Sequence, residues 1–467
     1  MTTGILTRSF LLFNTTILLL LSHTLSYGQY SSQNNISFES AFSSGENLPF
    51  WFTHNQYGKY PLSSKANQMM ELSSHHRVDS LGGSSFGIKG GFDILGLYYG
   101  KFDYQINELY AGASLWGFKL EGGLFRDTDY FEGLSSTNGQ MDKSLNSMPY
   151  PRIRLATEGF IPFFFWKDNL SFKAEYDEGL LGKNSRVVDA KMHHKLLHFK
   201  YKFKNESYFT IGLNHFVQWG GVSNYWGQMP EDFDSYLRYI TGRTGNSNFS
   251  NSDQLNAAGN QYGTYYMEYE LKREKYNLRF YYSHPFEDHS GMEMDNWRDN
   301  LLGAYIDFKK DGIVEKVVYE FMYTKHQSGP IHEYHVMRGI DDYYNHGTYA
   351  TGATYEGYAL CSPLISPVRF EDGISTGLEN NRLTMHHIAA KGTIYQHLEW
   401  LGMITYTNNL GTYITPYEAP RDQVSTMFSF SYCNPKFPVD ITMSVAGDFG
   451  EMYEDRVGVM LKVGKRW

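Results

Sequence analysis

The sequence predicts an all-β protein, a transmembrane outer-membrane antiparallel β-barrel of about 18 strands with long extracellular loops and short periplasmic turns. Three observations lead to this fold class: segments that alternate apolar and polar residues, connectors that alternate between long and short, and a composition rich in aromatic residues. The chain has 467 residues, of which 17% are aromatic and 19% are charged. It is long enough for one large barrel or for two or three ordinary domains.

Several segments place apolar residues on one face of a strand and polar residues on the other. In the segment 197–204, Leu197 and Phe199 share one face, and His198 and Lys200 share the opposite face. In a barrel, the apolar face contacts lipid and the polar face lines the lumen, because lipid offers no partner to polar groups. The same period of two recurs near 265–272, 439–446 and 455–467.

The connectors distinguish a barrel from a soluble β-sandwich, which also alternates but has no reason to place every long loop at one end. From residue 208 onward, long polar connectors alternate with tight ones. This asymmetry is typical of outer-membrane barrels. The long connectors lie near 222–261, 286–299, 327–384, 409–423 and 449–454, and the tight ones near 205–207, 272–276, 310–313, 398–400 and 434–437.

Counting strands backward from Trp467 gives an even number, as single-chain bacterial barrels require, and places both chain ends in the periplasm. Most segments have about 9–11 residues, the length of a tilted membrane-crossing strand. The terminal Trp467 also suits recognition by the barrel-assembly machinery. The predicted strands are 66–76, 84–92, 96–105, 108–115, 117–127, 152–162, 169–178, 195–204, 208–218, 262–271, 277–285, 300–309, 314–325, 385–397, 401–408, 424–433, 438–448 and 455–467.

The N-terminus predicts a secretory signal peptide. Arg8 supplies the positive charge, a short apolar stretch follows it, and the small residue Gly28 precedes the expected cleavage point. An anchor helix is the alternative, but polar residues interrupt the apolar stretch. The expected organisation is a signal peptide at 1–28, a leader segment outside or inside the barrel at 29–65, and the outer-membrane barrel at 66–467.

Charge and cysteine content exclude several classes of function. The formal net charge of -9 argues against nucleic acid as a partner, because phosphate binding needs clustered Lys and Arg. Cys361 and Cys433 are too few for a disulfide framework and belong to no zinc motif. We expect them at opposite ends of the barrel and unpaired, because a disulfide tolerates a Cα separation of only about 7 Å.

The long loops combine aromatic rings with amides and acids, as carbohydrate sites do. Rings cover the apolar C–H faces of a sugar, and polar groups bond to its hydroxyls. Packing between loops is the alternative role for any single ring. We expect Trp219, Trp226, Tyr343 and Tyr344 to be the leading stacking residues, in a polysaccharide site that comprises Gln218, Trp219, Tyr225, Trp226, Asp342, Tyr343, Tyr344, Asn345, His346 and Tyr413.

Two kinds of motif suggest enzymatic or metal chemistry. Ser375 lies in a Gly-x-Ser-x-Gly string, but the string is in a polar loop and not at the strand-to-helix turn that a serine hydrolase needs. Three histidine pairs suggest a metal, but adjacent side chains of a strand point to opposite faces and cannot chelate together. We predict no catalytic residue and no bound transition metal. The pairs are His75-His76, His193-His194 and His386-His387.

The acidity of the loops bears on the ligand. Glu287-Asp288 and Asp341-Asp342 are candidate Ca²⁺ ligands, with solvated acidic loops as the alternative, and no other cofactor is expected. A polyanion would be repelled by such loops over about 8–10 Å. The sequence therefore predicts a neutral or zwitterionic polysaccharide, or an acidic one bridged by Ca²⁺.

Short motifs stand in order along most of the chain: Leu48-Pro49-Phe50-Trp51, Asn55-Gln56-Tyr57-Gly58, Gln218-Trp219-Gly220-Gly221, Glu287-Asp288-His289-Ser290-Gly291, Gln327-Ser328-Gly329-Pro330, Asp342-Tyr343-Tyr344-Asn345-His346-Gly347, Asn381-Arg382, His386-His387 and Asn409-Leu410-Gly411-Thr412-Tyr413. As an ordered set they resemble the Wzi family of capsule-assembly proteins. The resemblance implies a non-enzymatic outer-membrane barrel that binds capsular polysaccharide and helps to hold it on the cell. The periplasmic helical bundle of some family members has no counterpart here, since 29–65 is too short.

Two other functions remain open at this point. An eighteen-stranded barrel encloses a water-filled channel unless something fills it, so a constricted porin is the main alternative. An outer-membrane hydrolase is the third hypothesis. The connector at 327–384 is long enough that we expect it to fold into or over the lumen.

Overall fold

The structure is a computed structural model. The signal peptide predicted at 1–28 lies outside the described residues, and no helix among those described is long and apolar enough to span a membrane. The structure describes residues 29–80, 85–163, 165, 169–287, 289–331 and 339–467.

Over these residues, eighteen antiparallel strands form one closed sheet, as the sequence predicts. One strand, β6, is interrupted and continues at Ile161–Pro162. The strands are β1 Gln29–Ser43, β2 Ala66–Asp79, β3 Phe86–Tyr98, β4 Phe102–Leu115, β5 Phe118–Leu124, β6 Arg152–Thr157, β7 Leu170–Leu180, β8 Lys191–Lys202, β9 Ser207–Trp219, β10 Asn260–Lys272, β11 Tyr276–Phe286, β12 Asn300–Phe308, β13 Lys316–Tyr323, β14 Leu383–Tyr395, β15 Leu398–Gly411, β16 Pro416–Tyr432, β17 Asp440–Gly450 and β18 Arg456–Arg466.

The strand that closes the barrel lies in the segment expected to be a leader. β1 pairs with β2 on one side and with β18 on the other, and the amide of Asn34 donates to the carbonyl of Trp467 at 2.9 Å. The barrel therefore begins at Gln29 and not at residue 66, which corrects the leader expected at 29–65. The first half of β1 is polar at every position from Ser31 to Asn35, so no apolar alternation marks it as a strand.

Strands β3, β4 and β5 replace four strands of the predicted pattern. The pairing of β3 with β4 shifts register between Asp93 and Ile94. Such a bulge moves the side chains beyond it to the opposite face, so the alternation changes phase within one strand and resembles a turn. The prediction has one strand too many in this region and omits β1, so the total of eighteen is the same in the prediction and in the structure. The four predicted strands were 84–92, 96–105, 108–115 and 117–127.

The outer wall is apolar and the inner wall is polar, as the alternation predicts. On β8, Leu197 and Tyr201 are exposed, whereas His198 and His194 are buried in the lumen. On β17, Met443 and Val445 face outward in the same way. Lipid explains this order, since the strands pair around a closed sheet that leaves no edge exposed, and apolar side chains predominate on its outer face.

The connectors differ at the two ends of the barrel. Gln29, where the described residues begin, and Trp467 lie at the end with tight turns, which we call the short-turn end. Its connectors are 80–85, 116–117, 163–169, 203–206, 273–275, 309–315, 396–397 and 433–439. At the opposite, long-loop end, three connectors are short, namely 99–101, 412–415 and 451–455. The remaining connectors of the long-loop end are 44–65, 125–151, 181–190, 220–259, 287–299 and 324–382.

These loops contain the few helices and several short strand pairs. The helix Phe233–Thr241 is capped at both ends. Asp232 is the N-cap, whose side chain accepts from the Ser235 amide, and Gly242, in the left-handed conformation, is the C-cap. The helices are α1 Phe50–Thr53, α2 Phe233–Thr241, α3 Asn251–Leu255 and α4 His289–Met292. The short strands are Val187–Val188, Val222–Ser223, Gly227–Gln228, Thr354–Tyr355, Tyr358–Ala359, Val368–Glu371 and Ile374–Leu378.

Three segments, 44–65, 125–151 and 339–382, fold into the lumen at the long-loop end, and we call them the plug. Their apolar side chains pack with inward residues of the barrel wall in one buried cluster. This arrangement agrees with the expectation that the longest connector enters the lumen. Members of the cluster from the plug include Phe50, Trp51, Phe131, Leu134, Tyr343, Tyr344, Tyr349, Cys361 and Ile365.

A buried carboxylate on the wall fixes the middle segment of the plug. Glu320 of β13 accepts from the hydroxyls of Ser135, Ser136 and Thr137 and from the amide of Ser136, with oxygen distances of 2.5–2.9 Å. Tyr281 of β11 donates to the same carboxylate at 2.7 Å. Hydrogen bonds to a charged acceptor are stronger than neutral ones, so Glu320 holds the plug against the wall.

Candidate functional site

Three long loops meet around a cleft of about 200 Å³ at the long-loop end. One wall comes from the loop 220–259, another from the start of 287–299, and the third from the plug segment 339–382. Carboxylates, amides and an imidazole supply its polar groups. The lining residues are Asp253, Asn256, Ala257, Gly259, Asn260, Gln261, Glu287, Gly339, Ile340, Asp341, Asp342, Asn345 and His346.

Hydrogen bonds within the plug set the positions of Asp342 and Asn345. The carboxylate of Asp342 accepts from the amides of Asn345 at 3.0 Å and of Asn381 at 2.6 Å. The carbonyl oxygen of the Asn345 side chain accepts from the Leu378 amide at 2.7 Å. Burial raises the pKa of Asp342 above its ordinary value. Both side chains are therefore held rigidly at the wall of the cleft.

His346 is neutral in this environment. Its Nδ1 accepts from the backbone amides of Thr348 and Tyr349, both at 3.2 Å, and burial lowers the pKa of the imidazole to about 4. An imidazole that accepts at Nδ1 carries its proton at Nε2. His346 thus offers one N–H donor beside the carboxylate and amide oxygens of the cleft.

Two buried oxygens on the opposite wall lack partners among the described residues. Asp253 accepts from the Ser250 hydroxyl at 3.0 Å through Oδ2, but its Oδ1 has no donor. Asn260 donates to Gln218 at 2.7 Å, while its own side-chain oxygen is unpaired. Burial raises the pKa of Asp253 to about 6. These oxygens are acceptors for donors that a ligand brings, such as sugar hydroxyls.

Four of the expected contact residues are buried and do not present a surface to a ligand. Tyr343 and Tyr344 are 0% and 1% exposed within the plug, and Gln218 donates to the carbonyl of Gly352 at 2.8 Å. Trp219 packs between the rings of α2 on the outside of the wall. The stacking role expected for Trp219, Tyr343 and Tyr344 is therefore corrected to a packing role, because the loops fold over these rings.

Tyr225 and Trp226 keep the exposure that stacking needs. They are 83% and 51% exposed, and their rings meet edge to face at 4.7 Å. The hydroxyl of Ser223 accepts from both backbone amides at 3.2 Å, and Val222–Ser223 pairs with Gly227–Gln228. A short hairpin therefore holds the two rings at the surface of the loop.

Tyr413 lies apart from the residues that line the cleft. The Arg382 guanidinium sits 3.6 Å from the centre of its ring, and its hydroxyl donates to the carbonyl of His326 at 2.9 Å. Both contacts are made within the loops: the Arg382 guanidinium covers the ring, and the hydroxyl bonds to the connector that follows β13. Tyr413 thus has a structural contact where the sequence suggests a ligand contact.

The motifs for other chemistry fall into structural roles. Ser375 is buried in a hairpin and donates to the carbonyl of Thr351 at 3.1 Å, not at a strand-to-helix turn. Glu175, Asp177 and His194 hold ligand atoms within 4.8 Å in the lumen, but Arg154 donates to both oxygens of Asp177 at 2.8 and 2.9 Å. A metal would have to compete with this guanidinium for the carboxylate.

The acidic candidates for Ca²⁺ are only partly described. Asp288 lies outside the described residues, and Glu287 accepts from the backbone amide of Tyr344. Asp341 accepts from the Ser328 hydroxyl at 2.6 Å. Sequence reasoning missed Asp253 and Asn260, since neither belongs to a motif and both become part of the cleft only when the loops meet.

Comparison with known proteins gives consistent matches. The family model for the capsule assembly protein Wzi matches residues 29–366. The crystal structure of Wzi from Escherichia coli has 13% identity and a TM-score of 0.57, with 97% of this chain and 88% of that chain covered. OprD of Pseudomonas aeruginosa has 9% identity and a TM-score of 0.49, covering 94% and 95%. OccK5 (OpdH) of the same species has 10% identity and a TM-score of 0.48, covering 94% and 98%. No curated protein sequence matches significantly.

The match to the family model extends over well more than half of the chain, and it includes β1, the plug helix α1 and the loops around the cleft. The Escherichia coli structure supports the same closed fold over nearly the whole length. The apolar outer wall and the closed sheet place the chain in a lipid bilayer. This protein therefore belongs to the Wzi family of capsule assembly proteins and is an outer-membrane β-barrel.

Proposed function

We propose that this protein binds capsular polysaccharide at the long-loop end, outside the cell, and helps to assemble the capsule and hold it there without catalysis. The observation that carries the proposal is the cleft, where three loops bring together polar groups suited to sugar hydroxyls above a plugged lumen. Family membership supports it, and the Escherichia coli relative is described as a carbohydrate-binding β-barrel involved in group 1 capsule assembly.

The cleft supplies both kinds of hydrogen-bonding group that sugars use. Asp253 and Asn260 have acceptor oxygens without donors among the described residues, and His346 has an N–H donor at Nε2. A sugar hydroxyl both donates and accepts, so such a mixed set recognises it well. The volume of about 200 Å³ suits one sugar unit of a chain that continues over the surface.

The exposed pair Tyr225 and Trp226 adds a stacking surface for further units of the polymer. Flat rings bind the C–H faces of sugars, and these two are presented by a hairpin with little freedom to move. The acidic lining of the cleft favours a neutral or zwitterionic polysaccharide, or an acidic one bridged by Ca²⁺, because like charges repel.

Two further partners belong to this proposal. Outer-membrane lipids would cover the apolar wall, and the barrel-assembly machinery would recognise the C-terminal strand that ends in the exposed Trp467. The constricted porin is less favoured, because the plug packs apolar side chains across the lumen at the long-loop end. Conductance in planar bilayers tests it: a steady open channel in the wild-type protein would favour the porin.

The test of the proposal is capsule retention in a strain that lacks the gene and carries variants of it. Tyr225→Ala with Trp226→Ala should lower affinity about tenfold, since each ring contributes about 0.5–1.5 kcal/mol, and should shift capsule from cells to medium. Trp116→Ala with Tyr395→Ala is the matched control, because these rings are equally exposed at the short-turn end. Normal retention by the first variant, or equal loss in both, would contradict the proposal.

A further inference from the structure

A second and larger space lies at the other end of the lumen. A chamber of about 550 Å³ is bounded by β2, β3 and β5–β11, with the plug segment 125–151 as its roof. Most of its wall residues lie in the halves of the strands nearest the short turns, so it faces the short-turn end. We call it the basic chamber. Its volume is within the range of small-molecule sites, about 300–1,000 Å³.

The charges that line the basic chamber are mostly positive. Eight cationic side chains face four carboxylates, an excess of four positive charges. Each of the eight also has a carboxylate within 4.0 Å, in several pairs one outside the lining, so the excess belongs to the lining itself. Cations on the lining of a lumen with walls of low dielectric favour anions there. The cations are Arg77, Lys89, Lys119, Lys143, Arg154, Lys173, Lys200 and Arg279, and the carboxylates are Asp127, Glu158, Glu175 and Glu268.

Ion pairs on the wall hold several of these cations in place. Lys119 bonds to Glu121 at 2.7 Å, and Lys200 lies 3.5 Å from Glu270. Neither of those two carboxylates lines the chamber. The pairs therefore fix the orientation of the lysines, both of which line the chamber.

Two buried polar groups of the chamber have no hydrogen-bond partner within the described part of the chain. They are Nε2 of His198 and the hydroxyl of Thr210, in side chains that belong to residues only 5% and 2% exposed. Both residues line the chamber on neighbouring strands. A buried polar group without a partner is costly, so these two positions indicate a ligand that brings its own donors and acceptors.

Rings and amides complete a lining suited to a sugar. Tyr266 stacks on His198 with 5.0 Å between ring centres, and Tyr130 and Phe160 also line the space. The amides of Gln140 and Asn214 bond to each other at 2.9 Å on the chamber wall. Aromatic faces beside amides and cations distinguish a carbohydrate site from a site for a simple inorganic ion.

From this geometry we infer that the basic chamber binds a short saccharide that carries carboxylates, entering from the short-turn end. The excess of cations recognises the carboxylates, the rings recognise the sugar faces, and His198 and Thr210 bond to hydroxyls. This site goes beyond the proposed function: it lies at the opposite end of the barrel from the cleft and shares no lining residue with it. Either site can fail while the other holds.

The experiment measures binding of trigalacturonate to the full-length protein in detergent micelles by calorimetry, with maltotriose as the neutral probe. The wild-type protein should bind trigalacturonate and not maltotriose, with affinity that falls as salt is added. Lys119→Gln with Lys200→Gln should weaken binding about tenfold for each cation, the scale of a hydrogen bond to a charged group. Lys462→Gln is the matched control, because this lysine lines a separate chamber of about 810 Å³ in the lumen.

Thr210→Val separates a binding role from a structural one. If a sugar uses the hydroxyl, this variant should weaken trigalacturonate binding several-fold while the barrel unfolds at the same or higher urea concentration. Unchanged affinity in Thr210→Val and in the double lysine variant would overturn the inference, as would equal weakening by Lys462→Gln. Failure of the wild-type protein to bind trigalacturonate, or binding of inorganic phosphate in its place, would also overturn it.

Discussion

At the long-loop end, three segments of the chain fill the lumen, whereas at the short-turn end it opens into two chambers of about 550 and 810 Å³. The filled end needs long connectors, because only they reach back to the centre of an eighteen-stranded barrel. The open end needs no such reach, and its turns are as short as two residues at 116–117 and 396–397. The comparison shows that connector length decides where this barrel is closed.

The two ends also differ in charge. The cleft between the long loops contains Asp253, Glu287, Asp341 and Asp342 with no Lys or Arg among its lining residues. The basic chamber below the plug has twice as many cations as carboxylates. The plug therefore separates an acidic cleft outside from a chamber lined mostly by cations inside, and we expect ligands of different charge at the two ends.

The largest effect should come from removing the anchor that keeps the long-loop end filled. Glu320→Ala leaves four hydroxyl donors and one amide without their acceptor, at about 1–3 kcal/mol for each unpaired group. Allowing for relaxation, we expect a loss of about 4–6 kcal/mol in the free energy of unfolding. Urea titration of the protein in lipid vesicles measures this loss.

Glu320→Ala should also loosen the plug, and the reactivity of the Cys361 thiol measures this loosening. Cys361 is fully buried beside the segment 125–151, where its carbonyl accepts from the Ser144 hydroxyl at 2.6 Å. It should be inert to a maleimide in the native protein and reactive in Glu320→Ala, while Cys433 at the short-turn end reacts equally in both. Glu399→Ala, an exposed wall residue at the short-turn end, is the control. A plug that stays closed without Glu320 would contradict this account.

A smaller effect should separate the two faces of one strand. Val445→Arg places a charge on the lipid face of β17 and should destabilise the barrel by about 2–4 kcal/mol if it lies at the midplane. Thr442→Arg on the same strand points into the other chamber, which has about 810 Å³ of space, and should cost much less. Equal losses of unfolding free energy for both variants would mean that the outer wall does not face lipid.

The smallest effect concerns the acid in the cleft. Burial raises the pKa of Asp253 from 3.8 to about 6, so the folded state binds the proton more tightly than the unfolded state. The resulting contribution to stability is fully present below about pH 4 and is lost as the pH rises through about 6. Asp253→Asn should therefore stabilise the protein by about 1–3 kcal/mol at pH 7 and by nearly nothing at pH 4.

Unfolding by urea at several pH values distinguishes this from a general effect of acid. The Asp253→Asn variant should have a flatter dependence of unfolding free energy on pH than the wild-type protein, and Asp372→Asn, an exposed hairpin residue, should not. If the unfolding free energy of Asp253→Asn depended on pH as steeply as that of the wild-type protein, the Asp253 carboxylate would be solvated. It would then not be an unpaired acceptor in the cleft.

The alternation along β8 and β17 predicted the barrel because lipid imposes a simple rule on every strand that crosses it. Leu197 and Val445 are exposed on the wall as their positions in the pattern require. The rule fails where the outer face of a strand is not apolar, or where the alternation of apolar and polar residues changes phase within a strand. Polar residues hid the first half of β1, and the bulge opposite Asp93 and Ile94, where Asn107 is the extra residue, divided β4 into two apparent strands.

The loop sequences were less informative, because no sequence pattern distinguishes a loop aromatic residue that stacks on a ligand from one that packs against its own chain. Tyr343 and Tyr225 both stand beside acids or amides in the sequence, yet the first is buried in the plug and the second is 83% exposed. Their difference follows from contacts between segments far apart in sequence, such as the bond of 3.1 Å from Asn146 to the carbonyl of Ala359.

The sequence alone determined the class of fold, the end that carries the long loops and the family, because lipid acts on each strand separately and family motifs are local. Only the tertiary structure decided which rings are buried, that the lumen is plugged and where charges collect. The cations of the basic chamber extend from Arg77 to Arg279, seven on seven different strands and Lys143 on the plug, and no local pattern unites them. They form a site only because the sheet closes and turns their strands toward one lumen.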